Sequence, residues 1–344
     1  MNVLLTCAGR RSYEIGAFRA ALANRGLVLA CDADPNAPAL RMADEAFIVP
    51  RIDADDYVDE LLELSARHEI GLVIPAFEPE LPLLATRRSD FEAIGTTVLV
   101  SSPEVIATCS DKVAGAAFLA DSGVRSPRTY LSLEAARAGL RDGQIGYPVM
   151  VKPRFGVSSI GTQMAEDAAE LAFFYGYCRK QIATSFLAAL SAADPGTAVL
   201  VQEALKGDEY GLDIVNDLEG AYATTFVKRK LRMRAGQTDR ASTVDDPALL
   251  AVGERIGRRL GHRGILDADA FVDAQGICVI DLNPRFGGGY PFSHLAGANL
   301  PAAIIAWAEG RTPDPGWLRV APNVTMARYD QYVVAARPSS NEEA

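Results

Sequence analysis

Histidine and cysteine are scarce in this chain, and their scarcity removes several chemistries at the outset. Three histidines (His68, His262, His294) and five cysteines (Cys7, Cys31, Cys109, Cys178, Cys278) are scattered over 344 residues. They form no CxxC pair and no Cys/His spacing suited to zinc. No Ser/His/Asp or Cys/His arrangement stands out either. Each cysteine reads as a small buried hydrophobe in a reduced compartment. No apolar run reaches the length of a membrane span. The start, MNVLLTCAGRRS, has no basic segment ahead of its short apolar stretch. Neither a membrane partner nor a signal peptide is therefore expected, and a cytoplasmic location is the default. The net charge of −10 argues against nucleic acid as a partner. The dinucleotide fingerprint G-x-G-x-x-G is missing too, because the first turn reads AGRRS.

What is present is ordinary for a soluble enzyme: 49% apolar and 23% charged residues, in a chain long enough for two or three packed units. Apolar runs at 2–8, 27–34, 46–50, 71–77 and 96–102 read as strands. Residues 13–24 and 57–67 between them carry helical spacing, the second capped by Asp53 or Asp55. That alternation predicts a parallel, doubly wound sheet. Ligands bind such sheets at the carboxyl edge. There, Arg10 and Arg11 suit an anionic group or else lie in a solvated loop. Glu78 and Glu80, in PAFEPELP, are candidates for gripping a substrate amine or else are loop carboxylates in water.

In the middle of the chain, Ser110 and Asp111 read as the cap region of a helix running to Ala120. Lys112 then falls in the first turn, where the helix dipole disfavours a cation, and that misfit hints at function. PVMVKP is a strand with one lysine, Lys152, followed by RFGVSSIG. The glycines and serines of that turn (Gly156, Ser158, Ser159, Gly161) make a loop whose amides can wrap phosphate. No G-K-[ST] closes it, so it is not a Walker A loop. Residues 167–190 read as helix, with the aromatic run AFFYGYC in the core. From Thr224 the pattern TTFVKRKLRMR alternates, placing Lys228, Lys230, Arg232 and Arg234 on one strand face. Such a face lines a polyphosphate site or forms a solvated edge.

The most informative stretch is residues 277–293, ICVIDLNPRFGGGYPFS. Asp281 and Asn283, two apart on a strand, leave the same face. ADAFVD just upstream reads as a partner strand, with Ala274, Gln275 and Gly276 as a three-residue hairpin loop. In that register Asp269 faces Asp281 with Cβ atoms roughly 5 Å apart. Two facing carboxylates repel, and a divalent cation resolves the conflict; Mg²⁺ is commonly held by one or two carboxylates plus substrate phosphates. Arg285 would face the same phosphates, and Gly288 lies in the turn beyond it.

With these pieces in order, the chain resembles ATP-grasp enzymes over nearly its whole length. It resembles most their carbamoyl-phosphate-synthase-like branch and is similar to the ligase of pyrrolysine biosynthesis. The likeness rests on LLTCAGRRSYEIGAF, AFIVPRID and, above all, IDLNPRFGGG. It implies an α/β N-terminal domain (1–107), then the two α+β lobes of an ATP-grasp fold. These are a small lobe with a glycine-rich lid (108–200) and a large lobe with the metal site (201–336), before a disordered tail (337–344). Lys112 and Lys152 would contact ATP phosphates, with Gly156–Gly161 folding over them. Glu203 and Leu205 would meet adenine through the hinge backbone, and Glu209 would hold the ribose. Asp269, Asp281 and Asn283 would bind Mg²⁺, expected as two ions with Mn²⁺ as an alternative. Arg285 would face the γ-phosphate, with Lys152 and Lys228 as the other catalytic candidates. Arg232 and Gly288 join Arg10, Arg11, Glu78 and Glu80 as substrate candidates. The chain departs from the family pattern in three places. It has Asp at 269 and 281, where relatives often have Glu or Gln and Glu respectively, and it has Val157 and Ile160 in the lid.

The implied chemistry is ATP-dependent activation of a carboxylate as an acyl phosphate, then displacement by an amine to give an amide, ADP and phosphate. The substrates are read as small molecules, an amino acid among them, and a homodimer is an open expectation. An ADP-forming phosphotransferase and a non-catalytic ATP-binding protein stand as alternatives.

Overall fold

The computed structural model describes residues 1–156, 160–192 and 194–334. Ser158, Ser159 and Val157 of the lid, and the tail 337–344, lie outside the described residues.

Five short apolar runs build the first sheet: β1 (Asn2–Thr6), β2 (Val28–Asp32), β3 (Glu45–Ile48), β4 (Ile70–Pro75) and β5 (Thr97–Val98). All pair in parallel, in the order β3-β2-β1-β4-β5. Side chains alternate between its faces, as the strand period requires. Val3, Leu5, Val28, Ala30, Leu72 and Ile74 enter one core with the helix Ser12–Leu22 and, from the far end of the chain, the helix Leu300–Ala308. Leu4, Leu29, Cys31 and Val73 enter the other, with the helix Tyr57–Arg67. A parallel sheet is stable only when both faces are covered, and here both are.

The second sheet is antiparallel, with order β6-β9-β7-β8: β6 (Thr129–Tyr130), β7 (Val149–Pro153), β8 (Gln163–Ala165) and β9 (Val199–Glu203). Leu171, Cys178 and Ile182 of the helix Ala168–Ala183 cover Val149, Val151, Val199 and Val201. Asp167 caps that helix through the amides of Ala169 and Glu170. The helix expected over 167–190 stops at Ala183 and resumes only at Leu187–Leu190. The aromatic run divides rather than entering the core whole. Phe174 and Tyr175 pack inward, whereas Phe173 and Tyr177, four apart on the outer helix face, stack on each other and stay exposed.

The third sheet is antiparallel and six-stranded, with order β14-β13-β10-β11-β12-β15. Its strands are β10 (Asp208–Asn216), β11 (Tyr222–Arg234), β12 (Gln237–Val244), β13 (Gly264–Asp273), β14 (Gly276–Asn283) and β15 (Thr325–Ala327). One face is apolar: Leu212, Ile214, Val227, Leu266, Ala268 and Leu282 pack against the helix Pro247–Leu260. Cys109 and Leu119, on the helices Pro103–Ser110 and Lys112–Asp121, join the same core. Lys112 is therefore positioned by packing on the large sheet, although it precedes the small sheet in sequence.

Candidate active site

The opposite face of the third sheet is polar, and its period-2 residues form a grid. Asp269 stands directly opposite Asp281, and Asp267 opposite Asn283. On the other side of β13, Asp269 faces Gly211 and Asp267 faces Asp213. The expected facing pair is thus present, by a different route. The hairpin loop has two residues, Ala274 and Gln275, with Gly276 paired to Asp273 at φ +106°. That leaves the hairpin one residue out of the expected register near its turn. A bulge at Ile280, between the pairs Asp269–Asp281 and Ala270–Val279, restores it at the site.

Cations reach the acids from three directions. From β11, Lys230 donates to Asp269 Oδ1 at 2.6 Å and Glu209 Oε1 at 2.8 Å. Burial opposes its charge, but these two carboxylates outweigh burial and raise its pKa. From its helix start, Lys112 donates to Asp281 Oδ1 at 3.3 Å and to the Gly156 carbonyl at 3.1 Å. Lys152 comes from the second sheet. Burial and then the Lys112 charge push it down to about 8, against the pull of Asp281 and Asp269. Burial lifts the Asp281 carboxyl, but Lys112 and Lys152 override it and hold the group below its usual value. Asp269 and Asp267 are raised, chiefly by burial.

At the strand end, Arg285 Nη2 donates to Glu78 Oε2 at 3.2 Å and Asn283 Oδ1 at 3.3 Å, and Nη1 lies 3.8 Å from Asp267 Oδ2. In the turn that follows, Gly287 and Gly289 are held by close contacts. A Cβ on Gly287 would lie 2.1 Å from the Asp267 carboxylate carbon, and one on Gly289 would lie 2.7 Å from Lys228 Cε.

Among the described residues no three Asp, Glu, His or Cys side chains converge as a preformed cage. A cation here would rest on Asp269, Asp281, the Asn283 amide and oxygens from outside the chain. That all-oxygen donor set suits Mg²⁺, and the raised Asp269 beside Asp267 and Asp281 is the electrostatic stress a cation relieves. A narrow cleft lies beside Lys112 and Asp281, between the helix Lys112–Asp121, Gln202 and β14. Glu203 borders this region, accepting from the Arg128 amide at 3.2 Å, and Leu205 is half-buried.

Other expected residues are spent elsewhere. Glu80 is fully buried and accepts from Tyr57 Oη at 2.7 Å and from the amides of Ala76 and Phe77, so its role is to shape the loop. Glu78 holds Arg285. Lys228 is 1% exposed and lies 2.7 Å from Asp213 Oδ2, the oxygen to which Ser293 Oγ donates at 2.5 Å. It forms the wall of the site. The basic face does not run on to Arg234. Register shifts on either side of Arg232 turn Arg232 and Arg234 outward to Asp239, with 64% and 52% of their side chains exposed. A Cβ on Gly288 would meet nothing within 4 Å. Arg10 is exposed, and Arg11 pairs with Glu14 at 3.1 Å.

Sequence reasoning passed over Asp213, Asp267, Glu14 and the central place of Lys230. Two of these carried a signal. Asp267 and Asp269 alternate in LDADA, and Glu14 sits four before Phe18, on the apolar stripe of its helix.

Comparison with known proteins bears on the family and the fold. Residues 3–99 match the family model of the PylC-like N-terminal domain, and residues 196–331 match that of ATP-grasp in the biosynthetic pathway with Ter operon. The carbamoyl phosphate synthase large chain of Myxococcus xanthus is 26% identical over 259 residues, covering 72% of this chain and 23% of that protein. The formate-dependent phosphoribosylglycinamide formyltransferase of Synechococcus sp. RCC307 is 29% identical over 171 residues, 49% of this chain and 41% of the relative. This chain thus spans less than half the length of either curated relative. Among solved structures, the biotin carboxylase domain of Hydrogenobacter thermophilus 2-oxoglutarate carboxylase, complexed with MgADP, ADP and bicarbonate, superposes with a TM-score of 0.73. It is 17% identical, over 94% of this chain and 73% of the other. The L-amino acid ligase of Bacillus licheniformis gives a TM-score of 0.65 at 17% identity, over 93% and 77%. The chain belongs to the ATP-grasp superfamily. Its N-terminal sheet is of the PylC-like kind.

No helix among the described residues is long and apolar enough to cross a membrane, and all five cysteines are free.

Proposed function

We propose that this protein is an ATP-dependent carboxylate–amine ligase that works through an acyl phosphate. The observation that carries the reading is the facing pair Asp269/Asp281, with Asn283 and Arg285 on the same strand end and Lys112 and Lys152 converging from two other elements. Phosphoryl transfer needs positioning and charge neutralisation more than covalent help, and this is a site of fixed charges. The substrate carboxylate attacks the γ-phosphorus, the bond to the bridging oxygen breaks, and ADP leaves. The amine nitrogen then attacks the acyl carbon, the carbon–oxygen bond to phosphate breaks, and amide, phosphate and a proton result.

Lys112 and Lys152 hold the nucleotide phosphates, and Arg285, steadied by Glu78, meets the transferred group. Asp269, Asp281 and Asn283 would hold Mg²⁺ or Mn²⁺, which when bound neutralises the β- and γ-phosphates. Glu203 and Leu205 border the adenine, Glu209 takes the ribose, and Gly156–Gly161 closes over the phosphates. The division of labour is 1–107 for the acceptor side, 108–200 for the lid and 201–336 for the cation and phosphates. The substrates are small molecules. A cytoplasmic setting, supported by the unpaired cysteines, and a homodimer complete the proposal. Asp281→Asn tests it: the variant binds ATP but releases no ADP. Unimpaired turnover in that variant would sink the assignment.

A further inference from the structure

The seam between the first helix and the glycine turn holds charges that neither nucleotide nor cation explains. Glu14 is 1% exposed. Its Oε1 accepts from Arg11 Nη1 at 3.1 Å and from Tyr13 Oη at 2.9 Å. Its Oε2 is buried without a hydrogen-bond partner among the described residues. A buried acceptor left unmet is costly, on the order of 1–3 kcal/mol, so this oxygen calls for an N–H or O–H donor. Two charged groups of the seam keep part of their surface exposed. The Arg11 side chain is 22% exposed and spends only one guanidinium nitrogen on Glu14. The Asp267 side chain is 16% exposed, and its charge acts on Arg11. Tyr13 Oη also lies 3.4 Å from the Gly287 carbonyl, which ties the seam to the turn beside Arg285.

We infer that this seam is an acceptor subsite for a zwitterion of the α-amino-acid type. Arg11 takes the carboxylate, while Glu14 Oε2 and Asp267 take the ammonium. Both signs of charge meet along one seam. A plain amine would leave the second guanidinium nitrogen of Arg11 unused, and a plain acid would leave Glu14 Oε2 unmet, so the pair selects for a molecule carrying both groups. The neighbouring Arg285 places the ammonium end beside the phosphoryl position. The inference rests on the ligase reading for its place in the reaction, but its binding claim is separate.

The test is calorimetric titration of the full chain, with MgADP present, using the common L- and D-amino acids, their methyl esters and their N-acetyl derivatives. At least one free amino acid binds, and its ester and N-acetyl form bind about tenfold or more weakly. Arg11→Gln and Glu14→Gln each weaken the free amino acid by about tenfold or more, and Arg11→Lys recovers part of the loss. MgADP binding and cooperative unfolding of each variant certify its fold, and Asp267→Asn serves if Glu14→Gln does not fold. Absence of binding by every free amino acid, equal binding of ester or N-acetyl form, or an unchanged Arg11→Gln would overturn the subsite. Failure of the ligase reading looks different: an amino acid binds as described, yet no carboxylate added with ATP yields ADP. ADP release with an amine that lacks a carboxylate would keep the ligase and remove the subsite.

Discussion

Asp269 and Asp281 face each other across one hairpin, yet each carboxylate is neutralised from a different element. Lys230 on β11 reaches Asp269 at 2.6 Å, and Lys112 at a helix start reaches Asp281 at 3.3 Å. The two lysines do in the free protein what a bound cation would do in a loaded one. They allow two acids to be placed together without forfeiting the fold.

Lys230 therefore carries stability as well as a place in the site. Removing one partner of a sealed ion pair costs about 3–5 kcal/mol. Here Asp269 and Glu209 keep 27% and 23% of their side-chain surface exposed, so solvent screening reduces the cost. Lys230→Met is expected to lose about 2 kcal/mol in urea unfolding. Added MgCl₂ stabilises the variant more than the wild type, because the ion takes over the unpaired carboxylates. Equal stabilisation of both proteins would separate Lys230 from the cation site.

Lys152, held down to about 8, gives the nucleotide site a basic limb. Its folded value lies below the usual 10.5, so the unfolded chain binds more protons between about pH 8 and 10.5, and this group's contribution to stability rises with pH across that window. For nucleotide binding the sign is opposite. Phosphates favour the charged ammonium, so affinity falls above about pH 8 and binding takes up a proton there. Titration calorimetry in buffers of different ionisation enthalpy measures that uptake. Lys152→Met abolishes it, whereas persistence of the uptake would assign the limb to another group.

Gly287 is fixed by contact, since a Cβ there lands 2.1–2.4 Å from the Asp267 carboxylate. The Gly287→Ala protein is expected to fold, to push Asp267 and Arg285 out of register, and to lose about 10²-fold in kcat. Steady-state ADP release checks this, and a variant within about twofold of wild type would show that the turn yields freely.

Much of this was legible in the residues, for identifiable reasons. Period-2 alternation put Asp281 and Asn283 on one face, and the apolar–helical alternation of the first hundred residues specified the parallel sheet. What escaped was set by tertiary packing. The hairpin reached the right register only through a bulge at Ile280, which no local pattern announces. Lys228 and Arg232 look alike in KRKLRMR, yet one is sealed against Asp213 and the other turned to solvent by a register shift. Glu78 and Glu80 are equivalent in sequence, but burial commits one to Arg285 and the other to Tyr57 and two amides. Glu14 was visible as a charge on an apolar stripe, but its partners became apparent only once the helix was docked.

Joining of a carboxylate and an amine at the expense of ATP is open to one direct measurement. ADP release with Mg²⁺ is measured against a panel of carboxylates and amines, singly and in pairs, with mass spectrometry of the products. ADP is expected only with a matched pair, in step with a product one water lighter than the two together. ADP with a single compound, and a stable product heavier by one phosphoryl group, would contradict it.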